Sequence, residues 1–205
     1  MKNLPYISKR LVQLLNKTIY KKTRMKIKNL PAIVFSVFLL SQTSLVAQTK
    51  SNPVIKAGGS VFAVPEAVPV ADPKIAYKIV GDLMVGPEKP EELNPGLDRV
   101  ARLFNAYSDA GISADKIKMV VVVHFKGTPL ILDDEAYKKQ FGVSNPNTAL
   151  INELAEKGVD FYICGQSLRM RGFTDTPKNK HIKVTEAALI ATTTYQLKGY
   201  ALLNL

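Results

Sequence analysis

The 205-residue chain contains one cysteine, Cys164, and two histidines, His124 and His181. A lone cysteine forms no intramolecular disulfide, no Cys-rich zinc site and no Cys-ligated iron–sulfur cluster within one chain, so its chemistry is that of a thiol. Cys164 ends the apolar segment Val159–Cys164 and is followed by Gly165 and a polar stretch, Gln166-Ser167-Leu168-Arg169-Met170-Arg171. A sulfur at such a strand-to-helix switch meets backbone N–H groups and the positive end of a helix dipole, which favour the nucleophilic thiolate. Arg169 and Arg171, within two turns, would lower its pKa further. Cys164 therefore reads as a nucleophile or sulfur carrier; the same position also suits a small buried hydrophobe, and both readings stay open. His124 ends the segment Met119–His124 and reads either as a base or ligand-orienting group near the thiol or as a satisfied strand-end histidine. Lys126, Gly127 and Thr128 could wrap an anion with backbone donors. Gly165, Gln166, Ser167 and Arg169 would line the same pocket. There is no P-loop or dinucleotide glycine pattern, and no cofactor is assigned. His124, His181 and scattered acids are too little material for a metal site, and none is assigned. His181, in Lys-Asn-Lys-His, reads as solvated loop.

The surrounding pattern predicts what positions these residues. Lys74–Met84 alternates as a strand, and Leu97, Val100, Ala101, Phe104 and Tyr107 share one helical face that Gly111 ends. Lys118–Phe125 holds a run of four valines, which suits a strand buried on both faces of a parallel sheet. Asp133–Phe141 is a short helix with acids in its first turn. Asn145-Pro146 reads as the N-cap and first residue of a helix with Leu150, Ile151, Leu154 and Ala155 as its core face. Val159–Cys164 is a second buried strand, Gly165–Arg171 a short helix stopped by Gly172, Ile182–Val184 a short strand, Thr185 the cap of a helix to Lys198, and Tyr200–Leu205 a last strand. This alternation predicts an α/β three-layer sandwich over about 130 residues, with ligands expected at the carboxyl ends of the strands.

The formal charge of +11 points at first to nucleic acid or an anionic membrane. Nine of the 28 basic residues, and no acid, lie in residues 1–47, leaving 19 basic against 17 acidic residues beyond them. That distribution excludes a nucleic-acid footprint, because the Lys178–Lys180 cluster is small and has no aromatic stacking pattern. Residues 25–48 have a basic start, an apolar run of about ten residues (Pro31–Leu40) and a small-residue exit, the pattern of a secretory signal peptide cleaved near Ala47 or Gln48. The apolar run is too short for a membrane span, and no cysteine near the exit permits lipoprotein processing. Met25 is the expected true start, with 1–24 an extension or, alternatively, a basic arm. The expected organisation is 1–48 signal peptide, 49–73 Pro-rich extended segment and 74–205 α/β domain. Export gives the unpaired thiol added weight, since an odd cysteine in an oxidising compartment is reactive or intermolecular.

The segments V-V-V-V-H-F-K-G (120–127), N-T-A-L-I-N-E-L-A-E (147–156), G-V-D-F-Y-I-C-G-Q-S-L (158–168) and L-K-G-Y-A-L-L (197–203) resemble, in order and spacing, those of DsrE/DsrF-like proteins. The resemblance covers roughly 75–205, and the Cys-Gly-Gln-Ser stretch is its most specific part. It implies an α/β sandwich on a five-stranded, largely parallel sheet, assembled into homo-oligomers, often trimers or hexamers. In the sulfur-relay members a cysteine at the Cys164 position carries sulfur as a persulfide and is followed by a Leu-Arg-Arg-Gly-like segment. Here the stretch Cys164–Gly172 is similar but one residue longer. Export is the larger departure, since the relay partners of those members are cytoplasmic, so neither donor nor acceptor carries over. The alternative is a non-enzymatic binding or assembly module with a structural Cys164, in which the 49–73 segment docks on a neighbouring subunit.

Overall fold

The computed structural model describes residues 50–205; the expected leader, including the 1–24 extension, lies outside the described residues. The elements, in chain order, are β1 (Lys50–Ser51), β2 (Val61–Phe62), β3 (Tyr77–Leu83), α1 (Pro95–Asp109), β4 (Ile117–Val123), α2 (Asp134–Phe141), α3 (Thr148–Glu156), β5 (Asp160–Cys164), α4 (Gly165–Arg171), β6 (Ile182–Thr185), α5 (Ala188–Leu197) and β7 (Ala201–Asn204). Five strands form one sheet in the order β6-β5-β4-β3-β7. Every pairing in it is parallel.

The valine run explains the centre of this sheet. Met119–Val123 is buried throughout, with alternate residues facing opposite layers. On one side Val121 and Val123 join Leu83, the α1 residues Leu97, Val100 and Phe104 and the α3 residues Leu150, Ile151 and Leu154 in the larger core. On the other, Val80, Val120 and Val122 meet Cys164 and the α5 residues Ala188 and Ala191. The result is the predicted three-layer α/β sandwich, with α1 and α3 over one face and α5 over the other. Among the described residues no helix is long and apolar enough to cross a membrane.

Several element bounds differ from expectation; the strand read over Lys74–Met84 spans Tyr77–Leu83. The strand predicted to run to Phe125 stops at Val123, because Phe125 takes a positive φ of 51° and starts a 3₁₀ helix, Phe125–Ile131. α3 begins at Thr148 rather than at Asn145-Pro146. The Asn145 Oδ1 accepts from the N–H and Nδ2 of Asn147, just ahead of the helix, while its Nδ2 donates to the carbonyls of Leu130 and Leu132. Thr185 does not cap α5: it closes β6, paired with Cys164, and α5 begins three residues later.

The Pro-rich segment is held on its own domain in its first part. Asn105 of α1, fully buried, accepts from the N–H of Val54 and Ile55 at 2.9 and 2.8 Å and donates to the carbonyls of Ile55, Gly58 and Gly59. Glu153 of α3 accepts from the N–H of Lys56 and Ala57 at 2.7 and 2.8 Å, and Asp98 accepts from Gly59 at 2.7 Å. These side chains satisfy backbone groups that have no partners in regular structure. Further along, Val68 and Val70 are exposed.

Candidate functional site

Cys164 is the last residue of β5 and the cap position of α4, and only 6% of it is exposed. Burial raises its thiol pKa. The N–H groups of Ser167 and Ala188, the Ser167 hydroxyl and the Gln166 N–H act the other way and together hold the thiol below its ordinary value. Two elements supply these donors: the first turn of α4, and the first residue of α5. The amides expected after Cys164 are among these donors, while no guanidinium acts on the sulfur, so the further lowering expected of Arg169 and Arg171 is missing. Both arginines are exposed in the last turn of α4.

Gly165 sets the spacing between those two elements. A Cβ there would lie 2.9 Å from the Thr185 carbonyl oxygen and 3.3 Å from that of Glu186. The absence of a side chain lets the β6–α5 connection lie against the end of β5, which brings the Ala188 N–H to the sulfur. The Gln166 side chain reaches the Glu186 carbonyl at 3.4 Å, across the same seam.

His124 continues β4 in extended conformation (φ −159°, ψ −178°), and its N–H donates to the Leu83 carbonyl at 3.0 Å. Its Nε2 is 2.7 Å from Asp82 Oδ1, with 19% and 21% of the two side chains exposed. The strand register pairs Val122 with Tyr162 and Val123 with Ile163, so the next position along puts His124 beside Cys164. Alternation places Asp82, Val122, His124 and Cys164 on one face. Ser167 ties the two strand ends together: its Oγ accepts from the Phe125 N–H at 3.2 Å while its hydroxyl reaches the Cys164 sulfur.

The remaining candidates separate. The Gly127 N–H is committed to the carbonyls of Met84 and His124, and a Cβ at Gly127 would lie 2.6 Å from Leu83, so this glycine packs the loop onto β3 rather than wrapping an anion. The Thr128 hydroxyl donates to Phe125 O. Lys126 is exposed on the same loop. His181 donates its N–H to Asn179 Oδ1 in the 174–181 connection, away from these strand ends. Sequence reasoning missed Asp82. The available signal was a carboxylate inside an otherwise apolar strand, Ile79-Val80-Gly81-Asp82-Leu83.

A model of the DsrE/DsrF-like family matches residues 78–205, well over half of the chain and all of its five-stranded sheet apart from Tyr77. The chain belongs to the DsrE/DsrF-like family. Among solved structures it is similar to a protein of unknown function, MTH1491, from Methanobacterium thermoautotrophicum, with 18% identity and a TM-score of 0.46, over 63% of this chain and 99% of that one. It is also similar to the ychN protein from E. coli, with 16% identity and a TM-score of 0.44, over 63% and 99% of the two chains. A comparison with curated proteins finds no match. Within this DsrE/DsrF-like domain, the carboxyl ends of β3, β4 and β5 gather a carboxylate, an imidazole and an amide-stabilised thiol in a row. That arrangement supplies a nucleophile with a titratable group beside it.

Proposed function

We propose that this DsrE/DsrF-like protein is a sulfur carrier that holds sulfane sulfur as a persulfide on Cys164. The observation that carries the reading is the set of N–H and O–H donors around the Cys164 sulfur, which favours the thiolate in spite of burial. The thiolate attacks the outer sulfur of a donor persulfide R–S–SH. A new S–S bond forms on Cys164, the donor S–S bond breaks, and R–S⁻ leaves. An acceptor thiolate then takes the outer sulfur and returns Cys164 to its thiolate, with no net oxidation or reduction. Intact-mass measurement after incubation with a sulfane-sulfur donor tests this: the wild type gains the mass of one sulfur atom and Cys164→Ala gains none. A variant that still gains it, or a wild type that never does, ends the reading.

A specific observation favours a second reading. Cys164 is nearly buried and packs with Val80, Val120, Val122, Ala188 and Ala191, as a structural cysteine would. Native-state labelling separates the two: fast alkylation at neutral pH supports the carrier, and a thiol inert until denaturation supports a non-enzymatic module. Two further features belong to the proposal. The protein is a homo-oligomer, which the exposed apolar side chains Leu189, Ile190 and Leu197 of α5 support and sedimentation tests. It is exported with residues 1–48 as leader, which the sequence pattern supports and N-terminal sequencing of the mature form tests.

A further inference from the structure

The row Asp82–His124–Cys164 contains one ring nitrogen with no protein partner. His124 Nε2 is bound to Asp82 Oδ1, and the ring makes no other hydrogen bond among the described residues. No buried side-chain nitrogen or oxygen among them lacks a partner, so His124 Nδ1 is open to solvent. His124 stands at the carboxyl end of the central strand β4 and beside Cys164, since neighbouring parallel strands lie about 4.8 Å apart and the β4–β5 register continues to this pair. The groups that lower the Cys164 thiol belong to Ser167, Ala188 and Gln166, and the imidazole is not among them. The open Nδ1 beside Cys164 is then placed to serve the proton of the thiol that enters or leaves.

We propose that Asp82, His124 and Cys164 form a proton relay in which His124 Nδ1 serves the thiol that enters or leaves, with Asp82 as the positioning residue that fixes the ring. The relay rests on the sulfur-carrier reading. Asp82 accepts the Nε2–H and holds the ring in place. During loading the Cys164 thiolate attacks the outer sulfur of R–S–SH, the donor S–S bond breaks, and Nδ1–H of the imidazolium protonates the departing R–S⁻ to R–SH. During unloading an acceptor thiol R′–SH gives its proton to Nδ1, its sulfur takes the outer sulfur from the Cys164 persulfide, and Cys164 leaves as a thiolate. The imidazolium is regenerated, so the proton balance closes over the cycle. The substrate class follows: the relay matters for alkyl thiols, whose anions are poor leaving groups at neutral pH, and little for acidic aromatic thiols, which leave without a proton.

His124→Gln retains an N–H that can reach Asp82 but has no titratable nitrogen, and Asp82→Asn removes the charge that holds the tautomer. Both are compared with wild type in three measurements. Alkylation of Cys164 by iodoacetamide expels iodide, which needs no proton, and is expected within about twofold of wild type in both variants. Sulfur uptake from glutathione persulfide is expected to fall about a hundredfold in His124→Gln and about tenfold in Asp82→Asn. Uptake from an aromatic persulfide with an acidic leaving thiol is expected within about threefold of wild type. Nitrogen-15 spectra of the neutral ring, assignable because the chain has only two histidines, are expected to show the Nε2–H tautomer in wild type and its loss in Asp82→Asn. Equal losses with both donors, an unchanged rate from glutathione persulfide, or an Nδ1–H tautomer in wild type would overturn the relay and leave the sulfur carrier standing. A wild type that takes sulfur from neither donor overturns both.

Discussion

Ser167→Ala removes one identified donor from the Cys164 sulfur while leaving the chain path through Gly165 and Gln166 intact. The hydroxyl bonds the sulfur and accepts from the Phe125 N–H, so its loss also frees a backbone donor on the His124 loop. A hydrogen bond to a charged group contributes about 1.5–3 kcal/mol. Ser167 is partly exposed and water can replace part of its contribution, so about 1 kcal/mol is the reasonable figure. The midpoint of the pH profile of Cys164 alkylation should therefore rise in Ser167→Ala, and Ser167→Thr, which keeps the hydroxyl, should restore it. Stability carries the same signature. Between the lowered native value and the ordinary thiol value, the unfolded chain binds a proton on Cys164 that the native chain does not, so stability rises with pH across that window. It is fully present above the unfolded value and is lost as pH falls through the native one. Ser167→Ala narrows the window from below, and Cys164→Ala abolishes that part of the pH dependence. An alkylation midpoint that stays in place or falls in Ser167→Ala would show that the hydroxyl does not hold the thiolate.

Gly165→Ala should push the β6–α5 connection off the end of β5, because its Cβ would meet the Thr185 oxygen at 2.9 Å; a loss of about 1–3 kcal/mol by thermal or denaturant unfolding, together with a raised Cys164 midpoint, is expected. Asn105→Ala should release residues 50–62, whose N–H and carbonyl groups lose their partners on α1, read as faster proteolysis in that segment with Cys164 alkylation unchanged. Lys183→Ala should change stability by less than about 1 kcal/mol in a denaturant titration, because its 2.6 Å pair with Asp160 is half-exposed on both sides.

The parts of this fold that were legible from sequence are those fixed by local chemistry. A run of β-branched residues has few comfortable places other than a sheet covered on both faces, and Met119–Val123 lies there. α4 begins at Gly165 and ends at Arg171 as predicted, with Gly172 in the left-handed conformation at its end (φ 71°). What was not legible depends on contacts distant in sequence. Asn145 looked like a cap because its type suits one; its Oδ1 does accept from the Asn147 N–H, but its Nδ2 is drawn to the loop carbonyls of Leu130 and Leu132 and the helix starts only at Thr148. Thr185 looked like a cap until the β5–β6 pairing placed it in a strand. The Cys164–Gly165 switch was visible, as was His124 at the end of its strand. The carboxylate that orients His124 comes from β3, 42 residues away, and only the parallel register of the sheet brings it there.

The same reasoning explains why the amides that follow Cys164 were legible from sequence while the Ala188 amide of α5 was not. In the strand order β6-β5-β4-β3-β7, the last crossover must leave the carboxyl end of β6, at one edge of the sheet, and return to pair with β3 at the other side. Its helix, α5, packs over β3, β4 and β7, so its first turn starts next to the carboxyl end of β5. The Ala188 N–H is delivered to the Cys164 sulfur by that path. An amide donor leaves no mark in the residue type that carries it, and what the path demands is small residues where backbones approach closely. Gly165, Ala187 and Ala188 are such residues. In a parallel sheet of this order the electrostatic environment of a cysteine at the end of β5 is therefore set mainly by topology, through the amides of α4 and α5. The Ser167 hydroxyl adds to those amides, and Asp82 and His124 stand beside the sulfur without acting on its pKa.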